Sequence, residues 1–363
     1  MRIVFLTHNI HTDNGAGVFS RRLISAVRAD VGSHVRVLTT VRTGEDYEEA
    51  ILYPNKWRLF RALPRIRRTL KNADIIHALD AFPYGIIAVF ASLGLRKKII
   101  ITATGSGSIL PLYHWLYSWP VRYAYARANT VTAISSFTRD EILKKIPNLK
   151  IRVINHGVDA DFFAKPYGAY DTAGLKDYIL GVGTIRWRKG YHFSIRAFAK
   201  IATAFPHLNY VIVGKRYKHD YDERLTKLIK ELQLEGRVII LDGIENCEAL
   251  SDIYQGAELF CLFSQNVNHD VEGFGLVFLE AAAAGLPVVG SKNCGIDDAV
   301  RDGENSILVP TRDPDDFAAA LQKILANQEL RQKMSDASRA FARASSWEKR
   351  IGEYQELYRC LDK

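Results

Sequence analysis

The sequence predicts an α/β protein with two doubly wound parallel sheets. Short runs rich in Val and Ile alternate with longer amphipathic stretches, which is the pattern of buried strands covered by helices on both faces. The alternation runs through one series and begins again near residue 178. The chain has 363 residues, more than the roughly 100–200 of a usual domain. We therefore expect two domains, each with its own sheet.

Each series contains six candidate strands. Those of the first are RIVFLT, HVRVLTT, ADIIHAL, KKIIITAT, ANTVTAIS and KIRVINHG, and those of the second are YILGVGTI, LNYVIVG, RVIILDG, AELFCLF, LPVVGS and SILVP. Between the series, DADFFAKPYGAYDTAGLKD has little periodic pattern. We place a linker in this stretch, with the boundary between the domains after residue 165.

The composition excludes several classes of protein. With 48% hydrophobic and 25% charged residues, the chain is neither disordered nor collagen-like. The four cysteines form no CxxC pair, so we expect reduced thiols, no bound metal and a cytoplasmic protein. The longest uncharged apolar stretches, residues 86–95 and 281–290, are shorter than the ~20 residues that span a bilayer. No transmembrane helix is predicted.

Positive charge is concentrated in the first half. Residues 1–165 carry 24 basic and 12 acidic side chains, whereas the remainder carries 25 and 28. Seven Lys or Arg lie in KWRLFRALPRIRRTLK, Lys56 to Lys71, among apolar residues at roughly helical spacing. This pattern predicts a basic amphipathic helix, interrupted at Pro64. Three interpretations stay open: a solvated surface helix, attachment to an anionic membrane surface, and nucleic-acid binding. The last lacks any recognisable nucleic-acid module.

A second unusual stretch is aromatic. ILPLYHWLYSWPVRYAY, residues 109–125, contains four Tyr and two Trp. Aromatic side chains at this density form a core face, a belt at the level of lipid headgroups, or a wall that binds an acceptor. The sequence leaves these three alternatives open.

The motifs with chemical meaning should follow strands, because open α/β sheets bind ligands at the carboxyl ends of their strands. The first strand leads into DNGAGVFSRRL, which places Gly15 and Gly17 in a turn before a helix. Glycines there allow a phosphate or sugar close to the backbone. The third glycine of the dinucleotide motif is absent, which counts against NAD. A plain strand-to-helix turn is the alternative.

The second series opens with GVGTIRWRKG, in which Gly183 ends a strand and Arg186, Arg188 and Lys189 precede a helix. Several cations at this place can neutralise a diphosphate without a metal ion. The alternative is a cluster of surface charges.

VEGFGLVFLEAAAAGLPVVGS is the most specific stretch. Glu272 precedes the turn that contains Phe274 and Gly275, a helix begins near Leu276, and Glu280 follows Glu272 by eight residues. The first carboxylate can face a sugar, the amides of Gly275 and Leu276 can hold phosphate, and Glu280 can accept both hydroxyls of a ribose. Two unrelated acidic residues beside an Ala-rich core helix would be the alternative.

These motifs, in this order, resemble the family-4 retaining glycosyltransferases with the GT-B architecture. In the first half, ADIIHALD, TVTAIS and VINHGVDADFF resemble further segments of that family. The resemblance implies two Rossmann-like domains facing each other across a cleft. It also implies a returning C-terminal helix, so residues 1–165 and 346–363 would form the acceptor-binding domain and residues 166–345 the donor-binding domain.

By the same resemblance, a sugar passes from a nucleoside diphosphate sugar to an acceptor with retention and without a metal or other cofactor. Catalytic candidates are Glu272, Lys189 and Arg188. The donor-binding candidates are Glu280, Gly275, Leu276, Phe274, Gly183, Arg186, Gly15 and Gly17. On the acceptor side we expect Thr104, Gly105, His11 and His77, although both histidines are open to a structural interpretation.

Two positions depart from the family pattern. Thr184 stands where the family often has Arg, and Arg188 or Arg186 is expected to supply that charge. Thr104 stands where the family commonly has His, which puts any mechanism through that histidine in doubt.

The expected acceptor is a glycan or lipid-linked molecule of cell-envelope or polysaccharide biosynthesis. The basic first half suggests a peripheral position at the cytoplasmic face of a membrane. Two rival functions are a sugar-nucleotide 2-epimerase and a non-enzymatic protein that binds nucleotides or nucleic acid. The sugar, the base and the oligomeric state are not legible in the sequence.

Overall fold

The computed structural model describes residues 1–12, 14–31, 34–216, 219–310 and 313–362. The chain divides into two compact units. The first comprises Met1–His156, Asn268–Gly273 and Trp347–Lys363, and the second comprises Gly157–Val267 and Phe274–Ser346. The segment Asn268–Gly273, which the sequence analysis placed in the donor-binding domain, thus groups with the first unit.

The first unit contains a parallel sheet of seven strands in the order β3-β2-β1-β4-β5-β6-β7. These strands are β1 (Ile3–Thr7), β2 (Val35–Thr39), β3 (Glu48–Ala50), β4 (Ile75–Leu79), β5 (Lys98–Ala103), β6 (Thr130–Ala133) and β7 (Ile151–Val153). All six strands predicted for the first series form. The additional β3 is a short edge strand with the sequence EEA, which carries no apolar pattern to predict it.

The helices of the first unit connect these strands. They are α1 (Gly15–Val31), α2 (Lys56–Lys71), α3 (Ile86–Ala91), α4 (Ser106–Ile109), α5 (Ser118–Arg127) and α6 (Ser136–Leu143). The strand order reverses at β1, which pairs with β2 on one side and with β4 on the other. Ligand sites in open α/β sheets lie outside the carboxyl ends of strands at such a reversal.

Helix α2 corrects one prediction, since it continues through Pro64 instead of being interrupted there. The Asn55 side chain accepts hydrogen bonds from the backbone N–H groups of Trp57 and Arg58 and so caps the helix. Its inner face packs into the core through Ala62, Ile66 and Leu70. Burial of this apolar face compensates for the backbone hydrogen bond that a proline inside a helix removes.

The second unit contains a parallel sheet of six strands in the order β10-β9-β8-β11-β12-β13. They are β8 (Tyr178–Val182), β9 (Asn209–Val213), β10 (Val238–Leu241), β11 (Leu259–Leu262), β12 (Val288–Ser291) and β13 (Ser306–Val309). These are the six strands predicted for the second series. The order reverses between β8 and β11, which pair directly.

The helices of the second unit are α7 (Ala160–Phe163), α8 (Tyr191–Ile201), α9 (His219–Glu231), α10 (Cys247–Gln255), α11 (Leu276–Ala283), α12 (Pro314–Leu325) and α13 (Gln328–Ala344). The predicted linker stretch belongs to this unit. There the buried carboxylate of Asp252 accepts hydrogen bonds from four successive backbone N–H groups, those of residues 167–170.

The last helix, α14 (Trp347–Asp362), belongs to the first unit. His77 on β4 is fully buried. Its Nδ1 is hydrogen-bonded to the hydroxyl of Tyr358 on α14 and its Nε2 to the hydroxyl of Thr102 on β5, each at 2.7 Å. No helix of the described ranges is long and apolar enough to cross a membrane.

Candidate functional site

Lys189 lies at the reversal point of the second sheet. After β8, Gly183 adopts φ +147°, and a short 3₁₀ turn over Trp187–Lys189 follows. A Cβ at Gly183 would lie 3.1 Å from Cε of Lys189 and 3.4 Å from its Nζ. The lysine side chain, only 8% exposed, therefore folds back over the glycine at the carboxyl end of β8.

The turn that carries Lys189 is anchored to the strand next to β8. Gln265, just after β11, donates from its backbone N–H to the Arg188 carbonyl at 2.8 Å and from Nε2 to the Trp187 carbonyl at 2.9 Å. Arg188 is half-buried, whereas Arg186 is exposed. The sequence analysis missed Gln265, because β8 and β11 are far apart in the chain and become neighbours only in the sheet.

Gly190 makes the sharp entry into α8 possible. Its φ is +64°, and a Cβ there would lie 1.9 Å from the carbonyl oxygen of Phe263. Both the backbone conformation and the lack of space exclude any other residue. Glycine at this position therefore sets where the preceding cations lie.

Glu280 on α11 is a half-buried carboxylate with a specific partner. The hydroxyl of Tyr254 donates to its Oε2 at 3.0 Å. Burial raises the pKa of Glu280 to about 7, while the Tyr254 hydrogen bond and the positive charge of Lys189 oppose this rise. Lys189 and Glu280 are thus within electrostatic reach of each other, as their predicted roles on one donor require.

The N-terminus of α11 begins at Gly275, which has φ +83°. No side chain of the described residues caps this end. A Cβ at Gly275 would lie 2.9 Å from Cδ2 of Phe278, so glycine is required here also. Leu276 is the first helical residue, and Phe274 before the turn is buried.

Glu272 lies in the segment that groups with the first unit. Ser106 accepts a hydrogen bond from the backbone N–H of Val271 at 2.9 Å, and Ser135 donates to the Gly273 carbonyl at 2.6 Å. Both neighbours of Glu272 are therefore fixed on the loops that follow β5 and β6. Glu272 itself is buried, with 8% exposure.

Thr104 follows β5 and contacts a carboxylate that the sequence analysis missed, while Gly105, with φ +112°, lies against Gly273. Asp80, directly after β4, accepts hydrogen bonds from both the backbone and the hydroxyl of Thr104. It also accepts from Ser108 and from the backbone N–H of Ala81. Burial raises the pKa of Asp80 to about 6 despite these bonds. Its φ of 139° is a strained conformation, and such strain concentrates at functional sites.

Gly15 and Gly17 were predicted in a turn before a helix, but they are the first and third residues of α1. The low helix propensity of glycine favours a turn, and this local preference is overridden by packing around the start of the helix. A Cβ at Gly17 would lie 1.9 Å from the carbonyl oxygen of His11, whereas one at Gly15 would meet no atom within 4 Å. Asn9 accepts a hydrogen bond from the backbone N–H of His11 at 3.0 Å. Gly17 is thus required for packing, and Gly15 leaves open space beside the backbone.

His77, one of the acceptor-side candidates, lies inside the core of the first unit. Both ring nitrogens are engaged with Tyr358 and Thr102 inside the core, and burial lowers the pKa of the ring to about 3. A neutral, fully enclosed imidazole has no surface for a substrate. The structural interpretation of this residue is the one the geometry favours.

Comparison with known proteins identifies the class. Residues 170–341 match the family model "Glycosyl transferases group 1", and residues 13–162 match "Glycosyltransferase Family 4". Together with the two parallel sheets, these matches show that the chain belongs to the family-4 glycosyltransferases with the GT-B fold. The protein is therefore a glycosyltransferase.

Individual relatives have low sequence identity to this chain, but the similarity extends over most of its length. The chain is 26% identical over 303 residues to N-acetyl-alpha-D-glucosaminyl L-malate synthase of Bacillus anthracis, covering 79% of this chain and 75% of the relative. It is 29% identical over 317 residues to a GDP-mannose-dependent alpha-(1-6)-phosphatidylinositol monomannoside mannosyltransferase of Mycolicibacterium smegmatis, covering 81% and 80%.

Solved structures share the fold. The Anabaena protein HepE in complex with UDP has a TM-score of 0.82 at 20% identity, covering 99% of this chain and all of that one. WaaG, a glycosyltransferase involved in lipopolysaccharide biosynthesis, has a TM-score of 0.75 at 17% identity, covering 98% and 99%.

Proposed function

We propose that this glycosyltransferase moves a sugar from a nucleoside diphosphate sugar to a glycan or lipid-linked acceptor, with retention of anomeric configuration and without a bound metal. The observation that carries the proposal is the Lys189 amine at the carboxyl end of β8, within electrostatic reach of the half-buried Glu280 carboxylate. A cation and a carboxylate so arranged match the diphosphate and the ribose of one nucleotide.

On this proposal, the other candidate residues take the following roles. Lys189 and Arg188 hold the diphosphate, the amides of Gly275 and Leu276 assist at the start of α11, and Glu280 accepts the ribose hydroxyls. Glu272 orients the transferred sugar. A nucleotide donor is supported by HepE, which has been crystallised with UDP and with UDP-glucose. Because one relative is named as GDP-mannose-dependent, we leave the base open.

The reaction needs stabilisation that grows with negative charge on the leaving group. As the bond between the anomeric carbon and the diphosphate breaks, the acceptor oxygen bonds to that carbon on the same face. The acceptor proton passes to the departing diphosphate, so no strong protein base is required. Loss of one fixed group that stabilises such charge typically costs about 2.7–4 kcal/mol, or a hundred- to a thousandfold in rate. This mechanism is compatible with threonine at position 104.

A pair of lysine variants tests the assignment. Lys189→Ala should lower turnover a hundred- to a thousandfold, whereas Lys323→Ala, at an exposed position of α12 in the same unit, should leave it unchanged. Equal turnover in the two variants would remove Lys189 from the mechanism. Proton NMR of the product reports the anomeric configuration, and inversion would refute the proposed same-face attack.

Donor binding is tested by the thermal shift with UDP, GDP, ADP, CMP and their sugar conjugates in EDTA. A ligand at a hundred times its Kd stabilises the native protein by about 2.7 kcal/mol, and Glu280→Ala should abolish that rise. No thermal shift with any of these nucleotides would refute the donor site.

Product analysis distinguishes the transferase from the rival epimerase, because a transferase releases nucleoside diphosphate whereas an epimerase returns an intact nucleotide sugar.

A further inference from the structure

Exposed aromatic side chains cluster on one helical layer of the first unit. On α2, Trp57 is 78% exposed and Phe60 is 68% exposed. Around α5, Trp119 is 65% exposed, and Trp115, just before the helix, is 85% exposed. Large apolar side chains in contact with water at this density mark an interaction surface.

These two groups lie on the same face of the sheet. Helix α2 packs against α3, and α3 packs against α5. Arg67 of α2 ties this layer together by donating to the carbonyl oxygens of Ala91 and Leu93 at the end of α3. On the α5 side, Phe90 of α3 contacts Trp119, with 6.4 Å between the ring centroids.

The groups also lie at the same edge. Helices that connect parallel strands run back antiparallel to them, so their first turns stand at the carboxyl edge of the sheet. Trp57 and Phe60 occupy the first turns of α2, which leads into β4, and Trp119 occupies the first turn of α5, which leads into β6. Both aromatic groups therefore border the edge where the acceptor-side candidates lie.

The charge of this layer is positive and largely uncompensated. Residues 51–130 contain twelve Lys or Arg, two Asp and no Glu. One aspartate, Asp74, pairs with Arg2 at 3.0 Å, and the other, Asp80, is enclosed by Thr104 and Ser108. Neither acid therefore neutralises Arg58 and Arg61, which are exposed on α2. Arg65 of the same helix pairs with Glu49 at 3.2 Å.

We propose that this layer docks the first unit on the headgroup region of an anionic membrane at two points, Trp57 with Phe60 on α2 and Trp115 with Trp119 at α5. Aromatic rings favour the membrane interface, and arginines beside them are attracted to anionic lipids. The inference deepens the proposed function and rests on it, because a lipid-linked acceptor at the membrane surface is the reason why the enzyme would dock there.

Vesicle binding of the full-length protein tests the proposal without donor or acceptor. We expect co-sedimentation with vesicles of phosphatidylcholine and phosphatidylglycerol at 7:3, weak co-sedimentation with pure phosphatidylcholine, and a decrease with salt. Tryptophan emission should shift to the blue on binding, because three of the five tryptophans lie in the surface. Equal binding to both vesicles, or none to either, would overturn the proposal.

Variants separate the two contact points. Trp57→Ser with Phe60→Ser, and Trp115→Ser with Trp119→Ser, should each weaken binding at least about tenfold. One positive charge near an anionic surface contributes about 1 kcal/mol, roughly fivefold, so Arg58→Glu with Arg61→Glu should weaken it by more than about twentyfold. Lys323→Glu with Lys333→Glu, the same charge change at exposed positions of the second unit, should have no effect.

Two results would contradict the two-point surface. The first is unchanged binding in either aromatic double variant, and the second is an equal loss in the Lys323 and Lys333 control. Tighter, salt-sensitive binding to a mixed oligonucleotide than to anionic vesicles would identify nucleic acid as the occupant instead. The thermal shift with nucleotide, measured on the same variants, reports folding and the donor site separately, so failure of docking and failure of the proposed function are distinguishable.

Discussion

Replacing Glu280 by glutamine should make the protein more stable at alkaline pH while weakening donor binding. The folded state raises the pKa of this carboxyl group from 4.5 to about 7, chiefly through burial. A group whose pKa is raised on folding stabilises the protein below its unfolded pKa, and this contribution disappears as the pH rises through the folded value. The wild-type protein therefore loses stability between about pH 4.5 and pH 7 because of this group.

The magnitude follows from the size of the shift. A rise from 4.5 to about 7 corresponds to about 3 kcal/mol. Because Glu280 keeps part of its surface in contact with solvent, screening reduces this figure, and we expect about 2 kcal/mol. For a unit of this size, each kcal/mol moves the melting temperature by about 2–4 °C. Glu280→Gln should therefore melt about 4–8 °C above the wild type at pH 8.

The assay is calorimetric melting of both proteins from pH 4.5 to pH 8.5. Glutamine can still accept the hydrogen bond from Tyr254, so the two melting temperatures should coincide near pH 4.5 and diverge as the pH rises. Melting curves that stay parallel across this range would refute the reasoning, because a constant difference cannot come from ionisation of Glu280.

Donor binding supplies the second half of the test. Ribose hydroxyls donate to the ionised carboxylate, so the affinity of the wild type for its nucleotide should fall about tenfold per pH unit below about pH 7. In Glu280→Gln the affinity should be lower and independent of pH in this range. A wild-type affinity that does not change between pH 5.5 and pH 8 would remove Glu280 from the ribose site.

Three further predictions concern stability. Gly190→Ala should lower the free energy of unfolding in urea by more than about 3 kcal/mol. The control Gly236→Ala, at a position with a similar φ of +77° but no atom within 4 Å of the added Cβ, should lower it by about 1–2 kcal/mol. Equal losses in the two variants would mean that the clash with Phe263 is relieved. Asp252→Ala leaves four backbone N–H groups without their acceptor and should cost about 2–4 kcal/mol by the same measurement, and a loss below 1 kcal/mol would contradict this. The pKa of His77 is lowered from 6.5 to about 3, so its contribution to stability is complete above pH 6.5 and falls on acidification. His77→Gln should therefore reduce the fall of the melting temperature between pH 6.5 and pH 3. An unchanged fall of the melting temperature would contradict this prediction.

The strands were predictable because strands of a parallel sheet that is covered on both faces appear as continuous apolar runs. All twelve runs became strands, while β3, with the sequence EEA, did not stand out because an edge strand need not be apolar. Helix α2 was predicted with a break at Pro64 that the structure does not have. The local penalty of proline is outweighed by packing of Ile66 and Leu70, which the sequence pattern does not quantify.

For several candidate residues, the position relative to a single strand or helix was predictable, while their roles stay predictions. Gly183, Lys189 and Gly275 stand at strand ends or helix starts that the local pattern indicates, and Glu280 lies within α11, the helix predicted to begin near Leu276. Gln265 was missed, because its function in holding the Lys189 turn depends on β11 lying beside β8. Asp80 was missed for a related reason, since its partners Thr104 and Ser108 come from the loop after the neighbouring strand β5.

The sequence alone determined which strands and helices form and which charged residues and glycines lie next to them, because apolar periodicity, glycine turns and charge are local properties of the chain. The tertiary structure decided which ends are neighbours. Strand order brought Gln265 to the Lys189 turn, and hydrogen bonds from Ser106 and Ser135 attached the segment of Glu272 to the first unit. Burial then set the pKa values of Glu280, Asp80 and His77, because desolvation depends on every atom packed around a group and not on its neighbours in the chain.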